Sequence, residues 1–279
     1  MSCPRCNTAA RKRQGGAALV VALLVFAISA ALIVGMTSDF TRLYQRAGNI
    51  FLADQAQAYL RGAEGLAVLA LQADYDADGE QRRDDLLEFW AQEAPPYALD
   101  EGGWLRGSLE DLQGRFNLNA LAGQPPEGSD APRFTAAQAQ FIRLLQALGE
   151  PVISRQQAIE ITQAVADWLD RDQRPRNWGA EDDYYFGQTP AYRAANRPMA
   201  SSSELLAVAG VTPAIYRALA PWVTVWPQQP GLLNIHTAPA TVLRSISGDR
   251  DLDPLSENDE VTLLDQRQET GLADLEDCL

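Results

Sequence analysis

Residues 16–38 read GAALVVALLVFAISAALIVGMTS, and nothing else in the 279-residue chain resembles them. Residues 17–38 carry no formal charge. As a helix rising about 1.5 Å per residue they would span roughly 33 Å, enough for a bilayer core. A short basic leader precedes them, with Arg5, Arg11, Lys12 and Arg13 and no acidic residue; Asp39 and Arg42 follow. Positive charge on the short N-terminal side keeps that side cytoplasmic, so the bulk of the chain lies across the membrane.

Three readings compete for this stretch. A cleaved secretory signal has a shorter apolar region with small residues after it, whereas here Gly15 and Gly16 come before it. A plain signal anchor fits the hydropathy. The third reading is a signal cut after a glycine on the cytoplasmic side, which leaves the apolar helix on the mature protein. The order RKRQGG then AALVVALL resembles type IV pilins and type II secretion pseudopilins, and implies cleavage between Gly16 and Ala17 by a prepilin peptidase, with methylation of the new terminus.

The length allows one or two domains beyond the apolar segment, each able to bury a core. Net charge is −14; without residues 1–16 there remain 19 basic against 37 acidic residues, a charge of −18. Such a surface repels nucleic acid and anionic lipid and tolerates divalent cations. Cys3 and Cys6 form a C-x-x-C pair that would leave with the leader, and Cys278 is then alone. A single histidine, His236, rules out a multi-histidine metal site.

The proline-free residues 37–72 repeat apolar positions at Phe40, Leu43, Tyr44, Ala47 and Phe51, and again from Tyr59 to Leu69, which predicts that the helix continues to about residue 72. DYDADGEQRRDD, residues 74–85, then ends it. Asp74, Asp76, Asp78 and Gly79 match the opening of an EF-hand loop with Asp85 twelfth, but Gln81 stands where a branched apolar residue belongs, and an acidic turn is the favoured reading. DDLLEFWA, residues 84–91, predicts a short helix facing a core with Leu86, Leu87 and Trp90. GWLRGSLED and GRFNLNAL alternate around Gln113-Gly114, the pattern of a β-hairpin. GQPPEGSDAP, residues 123–132, marks a boundary. Helical runs follow at 135–148, 154–169, 201–209 and 212–223, with Ser154, the serines at 201–203 and Thr212 as caps and Pro213 at a helix start.

The most distinctive string is DWLDRDQRPRNWGAEDDYY, residues 167–185, with carboxylates at Asp167, Asp170, Asp172, Glu181, Asp182 and Asp183. So many acids in a turn-rich loop repel each other unless solvated, paired or bridged. Arg171, Arg174 and Arg176 offer pairing; calcium, which takes six to eight oxygens from a flexible loop, offers bridging. A hydrolase with paired carboxylates fits poorly beside these arginines, and no nucleophile elbow, phosphate loop or dinucleotide motif is present.

SELLAVAGVTPAIYRAL and GLLNIHTAPATVLRSI resemble helix-hairpin-helix modules, which makes a DNA-binding or DNA-uptake membrane protein the alternative reading. The turn Gly210-Val211-Thr212 lacks a second glycine, and few basic residues stand by to neutralise phosphates.

In order, RQGG-AALVVALL, DDLLEFWA, GRFNLNAL, DWLDRDQRPRNWGAEDDYY, YRAANRPMASSSELLAVAGVTPAIYRALAPWV and LLNIHTAPATVL resemble the type II secretion minor pseudopilin family, general secretion pathway protein K. The resemblance implies an α+β pseudopilin fold, a long N-terminal transmembrane helix on an antiparallel sheet, with a large inserted all-helical domain. It divides the chain into a leader (1–16), the N-terminal helix (17–72), a pseudopilin α/β part (73–122), the inserted domain (123–230) and a return to the pseudopilin domain (231–279) that stops before the family's last strands. It implies no enzyme but a subunit that caps the pseudopilus tip and initiates its assembly, with type I and type J minor pseudopilins and other pseudopilins as partners and no nucleic acid. The place implied is the inner membrane, single-pass, with the C-terminal domain in the periplasm. It implies calcium held by Asp170, Asp172, Glu181 and Asp182 or Asp183, with Glu204 as a further ligand, while Asp167 could equally be a surface residue at a helix C-terminus. The fifth mature position, glutamate in most pseudopilins, is Val21 here; a subunit without that carboxylate suits the top of a filament.

Overall fold

The computed structural model describes residues 15–77, 83–100, 102–125, 132–247 and 251–269. The fold class is the expected one: a long apolar N-terminal helix, a small antiparallel sheet and a mostly helical body. The leader, Cys3, Cys6, Cys278 and the loop positions Asp78, Gly79 and Gln81 lie outside the described residues. Two compact units divide the chain, one of Met1–Gln72 with Pro96–Leu105, the other of Ala73–Pro95 with Arg106–Leu279.

α1 runs Gly15–Ala77, 63 residues without a break and longer than its expected end at 72, and up to Gln72 it belongs to the first unit. Its apolar stretch, long enough to cross a membrane, is exposed all round, with Leu19, Phe26 and Val34 each more than half accessible. A stretch apolar on every side, with none of it buried against the other described residues, is built for lipid or for other helices. Two threonines interrupt no hydrogen bonds because each hydroxyl folds back on its own helix, Thr37 onto Ile33 O and Thr41 onto Thr37 O, both at 2.8 Å. The same unit holds a hairpin of β1 (Tyr97–Ala98) and β2 (Trp104–Leu105), antiparallel with Tyr97 opposite Leu105. Gly102 and Gly103 turn it at φ of 92° and 96°, a region open to glycine.

That pairing corrects the expected hairpin. Residues 104–105 pair backwards with β1, and around Gln113-Gly114 the chain makes a 3-10 turn (Leu112–Gly114), whose N-cap Asp111 accepts from Gln113 N. β3 (Phe116–Asn117) then pairs in parallel with β4 (Val223–Thr224), some hundred residues on. A parallel partner needs a long crossover, and the whole helical body provides it.

That body is built on α2 (Ala136–Ala147) and α3 (Arg155–Leu169), which pack on each other and on a 3-10 helix, Leu118–Ala122. Thr135 and Gln138 close a capping box on α2, and Ser154 caps α3 through Gln157 N. α3 is buried on nearly every side, with Ile161, Val165 and Ala166 fully enclosed. α4 (Asp182–Phe186), a 3-10 helix (Ser202–Ala207) and α5 (Pro213–Leu219) follow, the last capped by the Thr212 hydroxyl with proline at its start. The 201–209 run is thus a 3-10 helix, and α5 gives way to a 3-10 turn before residue 223.

Two further expectations are revised. In residues 84–91 only Phe89–Ala91 coil, as a 3-10 turn; Leu87 is 80% exposed and Trp90 alone is buried. The Asp85 carboxylate takes the Leu87 N–H at 2.8 Å, a bond that competes with the first helical turn. Residues 231–247, expected to return to the pseudopilin part, join the helical body's core through Ala238 and through Val242 and Leu243 of α6 (Ala240–Leu243). The buried Arg143 of α2 fastens them, donating to Ser245 O and Asp251 O at 2.7 Å and to Ser247 O at 3.3 Å. A second stitch is Asp111, which accepts from Thr237 Oγ1 at 2.6 Å and Asn234 Nδ2 at 2.9 Å. α7 (Glu257–Glu269) closes the described chain, with Arg267 donating to the carbonyls of Ile235 and Ala238.

Candidate metal centre

The acidic string folds back on the C-terminus of α3. Its first carboxylate, Asp167, faces the core side of the helix and is completely buried; it is not a surface residue. A buried carboxylate needs a cation and donors, and Arg176, nine residues on, provides both. Its Nη1 pairs with Asp167 Oδ1, and its backbone N–H donates to Asp167 Oδ2 at 3.1 Å. The same Nη1 reaches Asp170 Oδ2 at 2.6 Å. Burial works against charge on Arg176, but the bonds and attraction from Asp167 and Asp170 outweigh it and hold its pKa above the ordinary value. For Asp167 burial prevails over the Arg176 contacts, so its pKa is raised. Gly179 closes over the pair: a Cβ there would fall inside the Asp167 carboxylate, so glycine is required by close approach. Gln163 Oε1 of α3 accepts from Trp178 N at 2.8 Å and anchors the far side of the loop.

Around this clamp the structure brings together Asp170, Asp172 and Glu181, with a carboxylate oxygen of each within 4.8 Å of the others. Glu181 is 4% exposed, and neither of its oxygens has a hydrogen-bond partner; Asp170 Oδ1 is buried and unpartnered as well. Burial first, then the charges of Asp167, Asp170, Asp172 and Asp182, push the Glu181 pKa up to about 7. A buried acid with both oxygens unused beside two other carboxylates is costly as it stands. A hard divalent cation removes that cost, since oxygen donors of this kind in a loop are what calcium takes. Asp172 is braced for the same role, its Oδ1 accepting from Arg174 N at 2.8 Å. The residues present fit a cation.

The remaining predicted ligands are placed elsewhere. Asp182 spends both oxygens as struts, Oδ1 on Ala194 N at 3.0 Å and Oδ2 on Gln173 Nε2 at 3.3 Å. Asp183 is on the exposed face of α4. Glu204 completes the capping box of the 3-10 helix, accepting from Ala200 N at 2.8 Å and Ser201 N at 3.3 Å, and faces Arg197. Sequence reasoning offered Arg176 as one of three arginines able to pair with the acids; what it missed is that the partner is the buried Asp167 and that Gly179 closes over the pair. The available signals were an aspartate between Ala166 and Trp168 on a buried helix, and an arginine set between Pro175 and Gly179 in the loop.

A second acidic group, Asp74, Asp84 and Glu88, brings three carboxylates equally close. Asp74 and Asp76 belong to α1, so these residues of the disfavoured EF-hand match are helix where that loop would need turns. The first helix-hairpin-helix match forms a 3-10 helix, a turn with Gly210 at φ 80°, and α5; the second has a turn at residues 234–237 and only the short α6. His236 is half-buried, its pKa lowered by burial, then by Arg83.

Comparison with known proteins converges on one family. Residues 114–228 match the model for type II secretion system (T2SS), protein K. The chain is 37% identical over 241 residues to type II secretion system protein K of Pseudomonas aeruginosa, covering 85% of this chain and 69% of that one. Against the Klebsiella pneumoniae protein it is 35% identical, covering 81% and 67%. Its fold matches a chain in the crystal structure of the GspK-GspI-GspJ complex from enterotoxigenic Escherichia coli, with a TM-score of 0.67 and 28% identity over 84% of this chain and 77% of that chain.

Proposed function

The chain belongs to the type II secretion system protein K family, and from that premise we propose that it is a minor pseudopilin that caps the pseudopilus tip and starts its assembly for protein export. Family membership carries the minor-pseudopilin role, and the unbroken α1 supports it by giving the subunit a helix whose residues 17–38 are apolar on all sides, suited to bilayer before assembly and to neighbouring helices after it. Val21 in place of a glutamate supports the tip position: no carboxylate is offered there to the amine of a neighbour above. Type I and type J minor pseudopilins are the partners, as the composition of the related complex indicates for that protein. The inner membrane holds α1, with the body in the periplasm.

The body holds a calcium ion on Asp170, Asp172 and Glu181. The observation carrying this is Glu181, buried with both oxygens unused. When bound, the ion supplies charge neutralisation and fixes the loop after α3, on which α4 and its aromatic neighbours rest: Tyr185 stands edge-on to Trp168 at 5.3 Å. Nothing in this role calls for an acid–base pair, and the family's work is structural.

Co-purification of the detergent-extracted chain with candidate type I and type J minor pseudopilins tests the assembly role; failure to form a complex with either removes it. Mass spectrometry of the membrane-extracted protein tests maturation. Cells with an active prepilin peptidase yield a chain starting at Ala17, and a retained leader overturns the proposal. For the ion, melting with and without chelator decides, and an unchanged midpoint removes the site.

A further inference from the structure

Arg176 lies inside the acidic loop as a cation the chain supplies itself. Its side chain is largely shielded, and Nη1 bridges Asp167 and Asp170. Both oxygens of Asp167 are taken, one by the guanidinium and one by the Arg176 N–H, so Asp167 turns no free oxygen toward the Asp170–Asp172–Glu181 group. Asp170 is divided: Oδ2 is held by Arg176 and Oδ1 is buried and unpartnered. Gly179 seals the clamp from behind. Four carboxylates thus converge, and one unit of positive charge is permanently among them.

Resting on the calcium reading above, we infer that Arg176 is an internal counter-cation of the metal centre: locked to Asp167, it keeps the ligand loop folded without metal and holds the calcium affinity below what the carboxylates alone would give. Two effects compete when its charge is removed. Losing the clamp frees Asp170 to move, which weakens binding; losing a positive charge next to a divalent ion strengthens it. Even with the full screening of bulk water, a unit charge about 5 Å from a divalent ion shifts its dissociation constant by roughly tenfold, and weaker screening enlarges the shift. Charge wins, because the loop stays anchored through Trp178 N to Gln163 and through Asp182 to Ala194.

The inference fixes an order of affinities that a purely structural role does not produce. Arg176→Gln binds calcium about tenfold or more tightly than the wild type. Asp167→Asn, which leaves the arginine's charge balanced by the ligand Asp170 alone, binds about tenfold or more weakly. The double variant restores the net charge and returns to within about threefold of the wild type, as coupled neighbours do in a double-mutant cycle. Calcium titration calorimetry on the detergent-solubilised full chain, with circular dichroism to verify folding, reads all four. Both single variants weakening binding, or a double variant weaker than either, overturns the inference. If Arg176→Gln folds only with calcium present, Asp167→Asn against the double variant still decides: recovery supports the inference and continued loss defeats it. A wild-type chain that takes up no calcium fails differently, removing the metal centre itself.

Discussion

Replacing Glu181 with glutamine removes the most strained charge in the body, and the metal-free protein is expected to become more stable. The carboxyl titrates at about 7 instead of the ordinary 4.5. That difference, at 1.36 kcal/mol per unit, is about 3 kcal/mol of disfavour toward the ionised form. The sign follows from proton linkage. The folded state holds the proton more tightly than the unfolded chain, so the favourable contribution is complete below pH 4.5 and is lost as pH rises through about 7. At pH 8 with chelator, the wild type carries the whole penalty and Glu181→Gln carries none. For a domain of this size about 3 kcal/mol corresponds to a midpoint about 6–12 °C higher for the variant. The two melting curves converge toward pH 4.5. Calcium reverses the ranking: it raises the wild-type midpoint by mass action and leaves the variant where it was. Differential scanning fluorimetry across pH 4.5–8, with chelator and with calcium, reads both arms. A variant less stable than the wild type at pH 8 without metal, or one that gains as much from calcium, refutes the reasoning.

Three further outcomes are expected. Gly179→Ala pushes a methyl group into the Asp167 carboxylate and costs about 1–3 kcal/mol, read as a lower urea midpoint with an unchanged slope. Asp111→Ala leaves Thr237 and Asn234 without their shared acceptor, costing about 1–3 kcal/mol and opening residues 231–238 to proteolysis before the rest of the body. Thr135→Ala breaks the α2 capping box and costs about 1 kcal/mol in the same denaturation assay, with the calcium response unchanged because α2 contributes no ligand.

The parts of the fold legible in the sequence are those set by neighbours in the chain. The charge-free residues 17–38 announced α1, and Ser154 and Thr212 announced the starts of α3 and α5, because a cap and an apolar period act within one helical turn. The strands were misassigned because pairing is a tertiary choice: Phe116 and Val223 are far apart in the chain, and the period-two pattern of residues 103–121 names no partner. Residues 84–91 have helical composition, but one side-chain bond from Asp85 diverts the first turn. At the candidate metal centre, composition singled out the acidic loop and geometry sorted its acids. Which of six carboxylates faces inward depends on Arg176 folding back across the loop, and no spacing rule states that. Asp182 and Glu204 look like ligands in sequence and act as backbone acceptors in the fold.

The parallel pairing of β3 with β4 has a consequence for how the body comes into being. A chain threaded N-terminus first delivers Phe116 long before Val223, so the strand waits without its partner while α2, α3, the acidic loop and α4 emerge in turn. The antiparallel helix pair needs only near neighbours, and closing the sheet spans the full crossover, the slower class of contact. The acidic loop is therefore complete in sequence while the sheet is still open. On the proposed calcium reading, an ion bound there would fasten the half-made body before its final strand arrives.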